Sequence, residues 1–297
     1  MSAKMPEPDG PAGSGGIYWL SSYPKSGNTW FRTFLRNYMT DGDKPVDINE
    51  LHTGAIASAR SWLDHELGFD TADLLPGEIE MVRPHVYDWS VNHETLEYHK
   101  IHDAYTFLPD GQPLVGRVAT RGALYFVRNP LDVAPSFANH LQCSIDEAID
   151  NMAKPEMTFA GSRKRLNNQT AQRLLTWSDH VRSWIDASGL RIEVLRYEDM
   201  QATPELSFAR AVKFLELPED EARLTKAIAF SKFERVKQQE QERGFREKPP
   251  NTPAFFRQGK SGGWRQELTE AQVARIIADH GAVMHRLGYL DAAGNPV

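Results

Sequence analysis

The stretch Tyr23-Pro24-Lys25-Ser26-Gly27-Asn28-Thr29-Trp30 constrains this chain more than any other. Ahead of it, Ile17-Tyr18-Trp19-Leu20 is apolar and β-prone, as a buried strand is. After it, Trp30, Phe31, Phe34, Leu35, Tyr38 and Met39 recur at helical spacing, with Arg32, Arg36 and Asn37 on the other face. The pattern predicts strand, tight loop, helix. Such a loop turns several backbone N–H groups, and the positive end of the helix dipole, toward one point. That is an anion site, and phosphate is its usual occupant. Lys25 adds a full charge, and Ser26, Asn28 and Thr29 add short polar side chains.

The loop is not a Walker A sequence, which needs G-x-x-x-x-G-K-[ST]. Here the lysine precedes the glycine. The octet instead resembles the 5′-phosphosulfate loop of the cytosolic-type sulfotransferases, Y-P-K-S-G-T-T-W, with Asn28 as its one departure.

Further stretches extend the resemblance. Tyr98-His99-Lys100-Ile101-His102-Asp103 reads as a short strand whose Lys100 and His102 share one side, because residues two apart face the same way. In the family a Lys-x-His at this point supplies the general base. The proline that commonly follows is replaced by Asp103-Ala104, and His99 and His85 stand as alternative bases. Ala123-Leu124-Tyr125-Phe126-Val127 predicts a second apolar strand, running into Arg128-Asn129-Pro130-Leu131-Asp132 and on to Ser136. Pro130 and Asp132 suit a helix start, and Pro135 is expected to kink that helix. The family's R-N-x-x-D-x-x-x-S, whose Arg and Ser bind a 3′-phosphate, matches here. Further on, Phe256-Arg257-Gln258-Gly259-Lys260-Ser261-Gly262-Gly263-Trp264-Arg265 resembles R-K-G-x-x-G-x-W-K, with Gln258 and Arg265 as departures. Glycines let backbone wrap closely around a phosphate, and Arg257 can grip one bidentately. Tyr197-Glu198-Asp199-Met200 matches a family stretch at the adenosine, and Ser231-Lys232-Phe233 stands where the family touches adenine.

Between the motifs, a helix is predicted over Asn168 to Ala187, stopped by Ser188-Gly189, with Trp177 and Trp184 in the core. Arg191 to Arg196 alternates like an edge strand. Helices follow from Thr203-Pro204 and Pro218-Glu219, and a last one spans Thr269 to Leu287. Glu50 to Asn92 is irregular and aromatic-rich, with turns expected at Pro76-Gly77 and Arg83-Pro84. His52 and His65 within it, and His93 just beyond, lack metal-ligand spacing, and no metal is expected. Gln238 to Pro253 reads as a charged loop tied at both ends to cofactor motifs; it is either a lid hinged at Gly244 or plain surface.

Strands alternating with helices predict one α/β domain, a central parallel sheet flanked by helices in a P-loop-like fold, over residues 17–297. Residues 1–16, rich in Pro, Gly and Ser, are expected to be a disordered leader rather than a signal peptide. A net charge of −6 argues against nucleic-acid binding. The single cysteine, Cys143, forbids an intrachain disulfide, and no stretch reaches the roughly 20 apolar residues of a membrane span. A cytoplasmic protein is expected.

The resemblance implies a transferase of the sulfuryl group from 3′-phosphoadenosine 5′-phosphosulfate (PAPS) to a hydroxyl of a small acceptor, such as a phenol, alcohol or hydroxylated natural product. It places Lys25 at the leaving group, His102 as base and Lys100 as assistant. Ser26, Gly27, Asn28, Thr29 and Trp30 fall to the 5′-phosphate loop, Trp30, Tyr197 and Phe233 to adenine, and Arg128, Ser136, Arg257, Gln258 and Gly259 to the 3′-phosphate corner. A P-loop kinase and a non-catalytic nucleotide-binding module are the rival readings. The family's C-terminal dimer motif, K-x-x-x-T-V-x-x-x-E, reads Arg265-x-x-x-Thr269-Glu270-x-x-x-Ala274 here, which leaves the oligomeric state open.

Overall fold

The computed structural model describes residues 15–92, 94–161, 166–186, 189–249 and 252–297. Most of the expected leader, His93, the helix stop at Ser188 and Pro250 lie outside them.

In chain order the elements are β1 (Gly16–Ser22), α1 (Asn28–Thr40), α2 (Arg60–Leu67), α3 (Pro76–Ser90), β2 (Leu96–Ile101), β3 (Thr120–Val127), α4 (Pro130–Leu141), α5 (Ile145–Met152), β4 (Thr158–Phe159), β5 (Gln172–Arg173), α6 (Trp177–Ile185), β6 (Ile192–Arg196), α7 (Tyr197–Ala202), α8 (Pro204–Phe214), α9 (Glu221–Phe230), α10 (Phe233–Arg243), α11 (Trp264–Glu267) and α12 (Glu270–Arg286). Four strands form a parallel sheet in the order β2-β1-β3-β6, which puts Arg191 to Arg196 at an edge as its alternation predicts. β4 and β5 make a separate antiparallel pair.

β1 is buried along its whole length, and its side chains alternate between two cores. Ile17 and Trp19 join Tyr87, Tyr125, Val133, Trp177, Trp184 and Ile276 on one face. Tyr18 and Leu20 join Phe31, Phe34, Phe126 and Phe208 on the other. Helices on both faces are what a parallel sheet requires, since crossovers must cover it twice. Because the strands run the same way, the chain after β1, β2 and β3 emerges at one end. β1 sits between β2 and β3 there, so the loops after all three meet, the usual place for a ligand in such a sheet.

Several local expectations are corrected. Arg83-Pro84 is no turn: α3 runs through it, because Arg83 is locked in the core by Asp103 at 2.6 Å and Tyr87 at 2.8 Å. The tertiary part of that lock is the buried ion pair to Asp103; Tyr87 lies one turn further along α3 itself. The helix expected from Asn168 begins at Trp177, since Gln172 and Arg173 pair with β4 and Thr176 caps α6. α9 starts at Glu221 under an Asp220 cap rather than at Pro218, whose carbonyl accepts from the Tyr38 hydroxyl. Arg32 and Asn37, expected on the open face of α1, are buried. Finally, α10 carries the stretch from Gln238 to Arg243 as helix, with Val236 and Glu240 turned inward.

Candidate active site

The loop after β1 is held in a shape that ordinary residues rarely adopt. Lys25 has φ 71° and Gly27 φ 97°, so two left-handed residues turn the chain into α1. A Cβ on Gly27 would lie 2.7 Å from the Tyr197 ring, so only glycine fits. Asn28, the departure from the family octet, donates its amide to the Leu20 carbonyl at 2.8 Å and clasps the loop to the strand it leaves. The Oγ of Ser26, Oδ1 of Asn28, Nε1 of Trp30 and Nε of Arg128 are buried without a partner. Buried polar atoms without partners are costly, and the Ser26, Trp30 and Arg128 atoms among these can donate to an anionic ligand, whereas the Asn28 oxygen only accepts.

A cleft of about 510 Å³ opens over this loop. Every residue assigned to the site from the sequence lines it except Ser26, which is buried just beneath. Arg128 donates to the carbonyls of Lys25 at 3.2 Å and Lys260 at 2.9 Å, and its guanidinium lies 4.4 Å from the centre of the Tyr197 ring. Trp30 meets the same ring edge-on at 5.8 Å. Phe233 packs under Gly259, where a Cβ would stand 2.2 Å from the ring. Asp132 accepts from the N–H groups of Gly262 at 2.7 Å and Trp264 at 3.0 Å, pinning the glycine-rich loop over α4.

The Lys25 ammonium sits 4.0 Å from the Phe255 ring centre. Glu240 fixes that ring by accepting from the N–H groups of Phe255 and Phe256 at 2.6 and 2.9 Å. Burial, then the charges of Arg128 and Lys100, lower the Lys25 pKa to about 7.

At the end of β2, His102 Nδ1 donates to the Ser22 carbonyl at 2.8 Å, leaving Nε2 as the basic nitrogen. Burial and the charge of Lys100 hold the imidazole well below its ordinary pKa, so it is neutral at pH 7. The alternative bases stand elsewhere. His99 is buried under Trp19 and bonded to Glu97 at 2.6 Å, and neither it nor His85 lines the cleft. Asp103, which replaces the family's proline, forms the buried pair with Arg83 and so ties the end of β2 to α3.

Four residues that no sequence pattern singled out belong to this cleft. Glu247 bridges Lys100 and Arg32, each at 2.7 Å. Burial would push its carboxyl up, but the two cations outweigh that and hold it well below the carboxylate range. Glu267 takes Arg257 bidentately at 2.7 and 2.9 Å, and Gln258 at 3.1 Å. His140 stacks on Phe159 at 5.3 Å; burial and then Lys25 push its pKa down to about 3. Phe255 is the fourth. Glu247 and Glu267 lie in charge-rich stretches, where a buried carboxylate looks like a solvated one. His140 did carry a signal: it is one helical turn beyond Ser136, on the same face of α4.

Helix-start backbone, two cations without a carboxylate partner among the described residues and a neutral histidine meet at the strand ends of a doubly covered parallel sheet, an arrangement suited to an anionic ligand. The chain matches the family model described as the sulfotransferase domain over residues 17–288. It belongs to the sulfotransferase family and is a sulfotransferase enzyme, as the resemblance of its motifs implies. Among its relatives, Sulfotransferase 1A1 of Canis lupus familiaris is 25% identical over 91% of this chain and 83% of its own length. Flavonol 3-sulfotransferase of Flaveria bidentis is 23% identical over 87% of this chain and 78% of its own. Mouse sulfotransferase SULT7A1 complexed with PAP shares the fold at a TM-score of 0.57 and 15% identity, over 94% of this chain and 87% of that one. Retinol dehydratase in a complex with retinol and PAP does so at 0.57 and 17%, over 90% and 81%. No helix among the described residues is long and apolar enough to cross a membrane.

Proposed function

We propose that the enzyme transfers a sulfuryl group from PAPS to the hydroxyl of a small-molecule acceptor, within one catalytic domain spanning residues 17–297. The observation that carries this reading is the pair Lys25 and Arg128. Among the described residues, neither has a carboxylate partner, and both face the cleft beside unpartnered buried polar atoms. That is a site short of negative charge. Structures sharing the fold are complexes with PAP, which supports the same donor here.

PAPS supplies an activated sulfuryl group whose leaving group is a nucleotide phosphate. Catalysis of such transfers is mainly positioning and charge stabilisation. The N–H groups of Gly27, Asn28, Thr29 and Trp30, with the hydroxyls of Ser26 and Thr29, hold the 5′-phosphate. Lys25 neutralises the charge that builds on the bridging oxygen. Arg128, Ser136, Arg257, Gln258 and Gly259 hold the 3′-phosphate, and Trp30, Tyr197 and Phe233 the adenine. His102 Nε2 takes the acceptor's proton. Lys100, held by Glu247, assists at the sulfuryl oxygens. The segment around Phe245, Glu247 and Phe255 closes the cleft against water, and Glu247 is its latch.

The test is thermal unfolding with 3′-phosphoadenosine 5′-phosphate, which should raise Tm by binding only the folded state. ATP with Mg²⁺ should do much less. Equal stabilisation by ATP would favour the kinase reading. PAP binding without turnover on any hydroxyl acceptor would favour the binding module.

A further inference from the structure

β2 ends at Ile101, so the pairing of the sheet stops one residue short of His102. A base works only where its ring is held in place, and something other than the sheet must hold this one. That element is α6, which packs behind the strand end and does not line the cleft. The Nε2 of His180 is 3.0 Å from the His102 carbonyl. Trp184 Nε1 donates to the Asp103 carbonyl at 3.0 Å, and Ser183 Oγ accepts from the Tyr105 N–H at 3.0 Å. Residues 180, 183 and 184 share one face of α6, and together they take over where the sheet leaves off. Of the three, only His180 grips the residue that carries the base.

A carbonyl only accepts, so His180 carries its proton on Nε2. Its Nδ1 is then bare, and the Tyr125 hydroxyl donates to it at 2.8 Å. Tyr125 stands on β3, and both side chains are fully buried. Burial lowers the His180 pKa to about 4, so the ring stays neutral at pH 7. With the proton on Nδ1, a lone pair would face the His102 carbonyl and the tether would turn into a repulsion. The tyrosine hydroxyl therefore keeps the ring in the tautomer that His102 needs. At its other end, His102 gives its Nδ1–H to the Ser22 carbonyl. The base is clamped twice, by its backbone and by its ring, and Nε2 is left to accept.

We infer that His180 is a positioning residue for His102: its Nε2–H fixes the His102 backbone, and the Tyr125 hydroxyl fixes its tautomer. The inference rests on the sulfotransfer reading above, in which His102 takes the acceptor's proton.

The experiment measures kcat, with PAPS as donor, on two phenols of different acidity. 4-Methylphenol must lose its proton on the enzyme, whereas 4-nitrophenol at mildly alkaline pH is largely phenolate already. His102→Ala should slow the first and spare the second. His180→Leu should show the same selectivity at smaller size, roughly tenfold on 4-methylphenol, because the base is present but displaced. KM for PAPS and the rise in Tm with PAP should not change. His180→Gln, whose amide nitrogen stands as many bonds from the backbone as Nε2, should recover most of the loss. Tyr125→Phe should cost severalfold on 4-methylphenol alone, and this milder change carries the test if the leucine variant does not fold. Nitrogen NMR of the imidazole rings in the free enzyme should find His180 protonated at Nε2.

Equal losses on the two phenols overturn the inference, since His180 then serves the fold alone. A glutamine variant as slow as the leucine one overturns it too, as does a Tyr125→Phe enzyme as fast as the wild type or a His180 protonated at Nδ1. If His102→Ala slows both phenols alike, His102 is not the base; the inference falls and sulfotransfer stands. Wild-type enzyme that sulfates neither phenol, with PAP still raising Tm, removes the sulfotransfer reading and this inference together.

Discussion

The cations on the two sides of the cleft are held in opposite ways. On the side of β1 and β3, Lys25 rests on the Phe255 ring, and Arg128 on carbonyls and the Tyr197 ring. These partners are neutral, so the charges remain available. On the side of β2, Lys100 and Arg32 share Glu247, and at the far corner Arg257 is taken by Glu267. Those charges are compensated within the fold. Burying an unpaired cation is expensive, and burial together with the nearby charges of Arg128 and Lys100 lowers the Lys25 pKa. A protein keeps such a group where a ligand will supply the missing anion. The contrast therefore marks Lys25 and Arg128, rather than Lys100, Arg32 or Arg257, as the cations left open to an anionic ligand.

Removing the uncompensated charge should have the largest effect. Lys25→Ala should lower kcat by roughly 10²- to 10³-fold in a labelled-donor assay, the scale for losing a charge stabiliser in a closed site. Full activity in that variant would end the proposed role of Lys25. His102→Ala should follow, at roughly 10²-fold, while PAP still raises Tm. If PAP no longer shifts Tm, His102 serves donor binding instead. Arg128→Ala should act on binding, weakening PAP by about 10- to 100-fold in calorimetry, as loss of a charge-assisted contact does.

Glu267→Gln should convert a compensated cation into an available one. PAP affinity should rise severalfold as Arg257 is released; weaker binding would mean Glu267 orients Arg257 rather than competing for it. The smallest effect is in proton uptake. With its pKa near 7, Lys25 is partly deprotonated at pH 7.5 in the free enzyme, and an anionic ligand raises that pKa. PAP binding should then take up a fraction of a proton, and affinity should fall as pH rises through 7. Calorimetry in buffers of different ionisation enthalpy measures this, and Lys25→Arg should abolish it.

A stability test addresses the scaffold beneath the cleft. Asp103→Ala leaves Arg83 buried and unpaired, at a cost of about 3–5 kcal/mol in urea unfolding.

Much of the fold was legible from local pattern. The apolar run at Ile17 to Leu20, the helical stripe from Trp30 to Met39 and the strand at Ala123 to Val127 each report a single element, and periodicity is a local property. The misread places share a cause. Arg83-Pro84 lies inside α3, Gln238 to Arg243 is helical and Arg32 is buried, because a partner distant in sequence decided each. Arg83 waits on Asp103, and Arg32 on Glu247, 215 residues away.

The same division holds for the site. The octet at Tyr23 to Trp30 by itself determined an anion-binding turn, since the left-handed backbone, the glycine and the helix start are all encoded within eight residues. The sequence alone also placed Lys100 and His102 two residues apart; the structure ends that strand at Ile101, just before His102. Only the tertiary structure decided which charges are spent and which are free. Compensation depends on distance through space, and the carboxylates that compensate, Glu247 and Glu267, come from segments far along the chain. It decided likewise that Tyr125 and His180 stand behind His102, because side chains on separate segments become one hydrogen-bonded chain only when the fold sets them side by side.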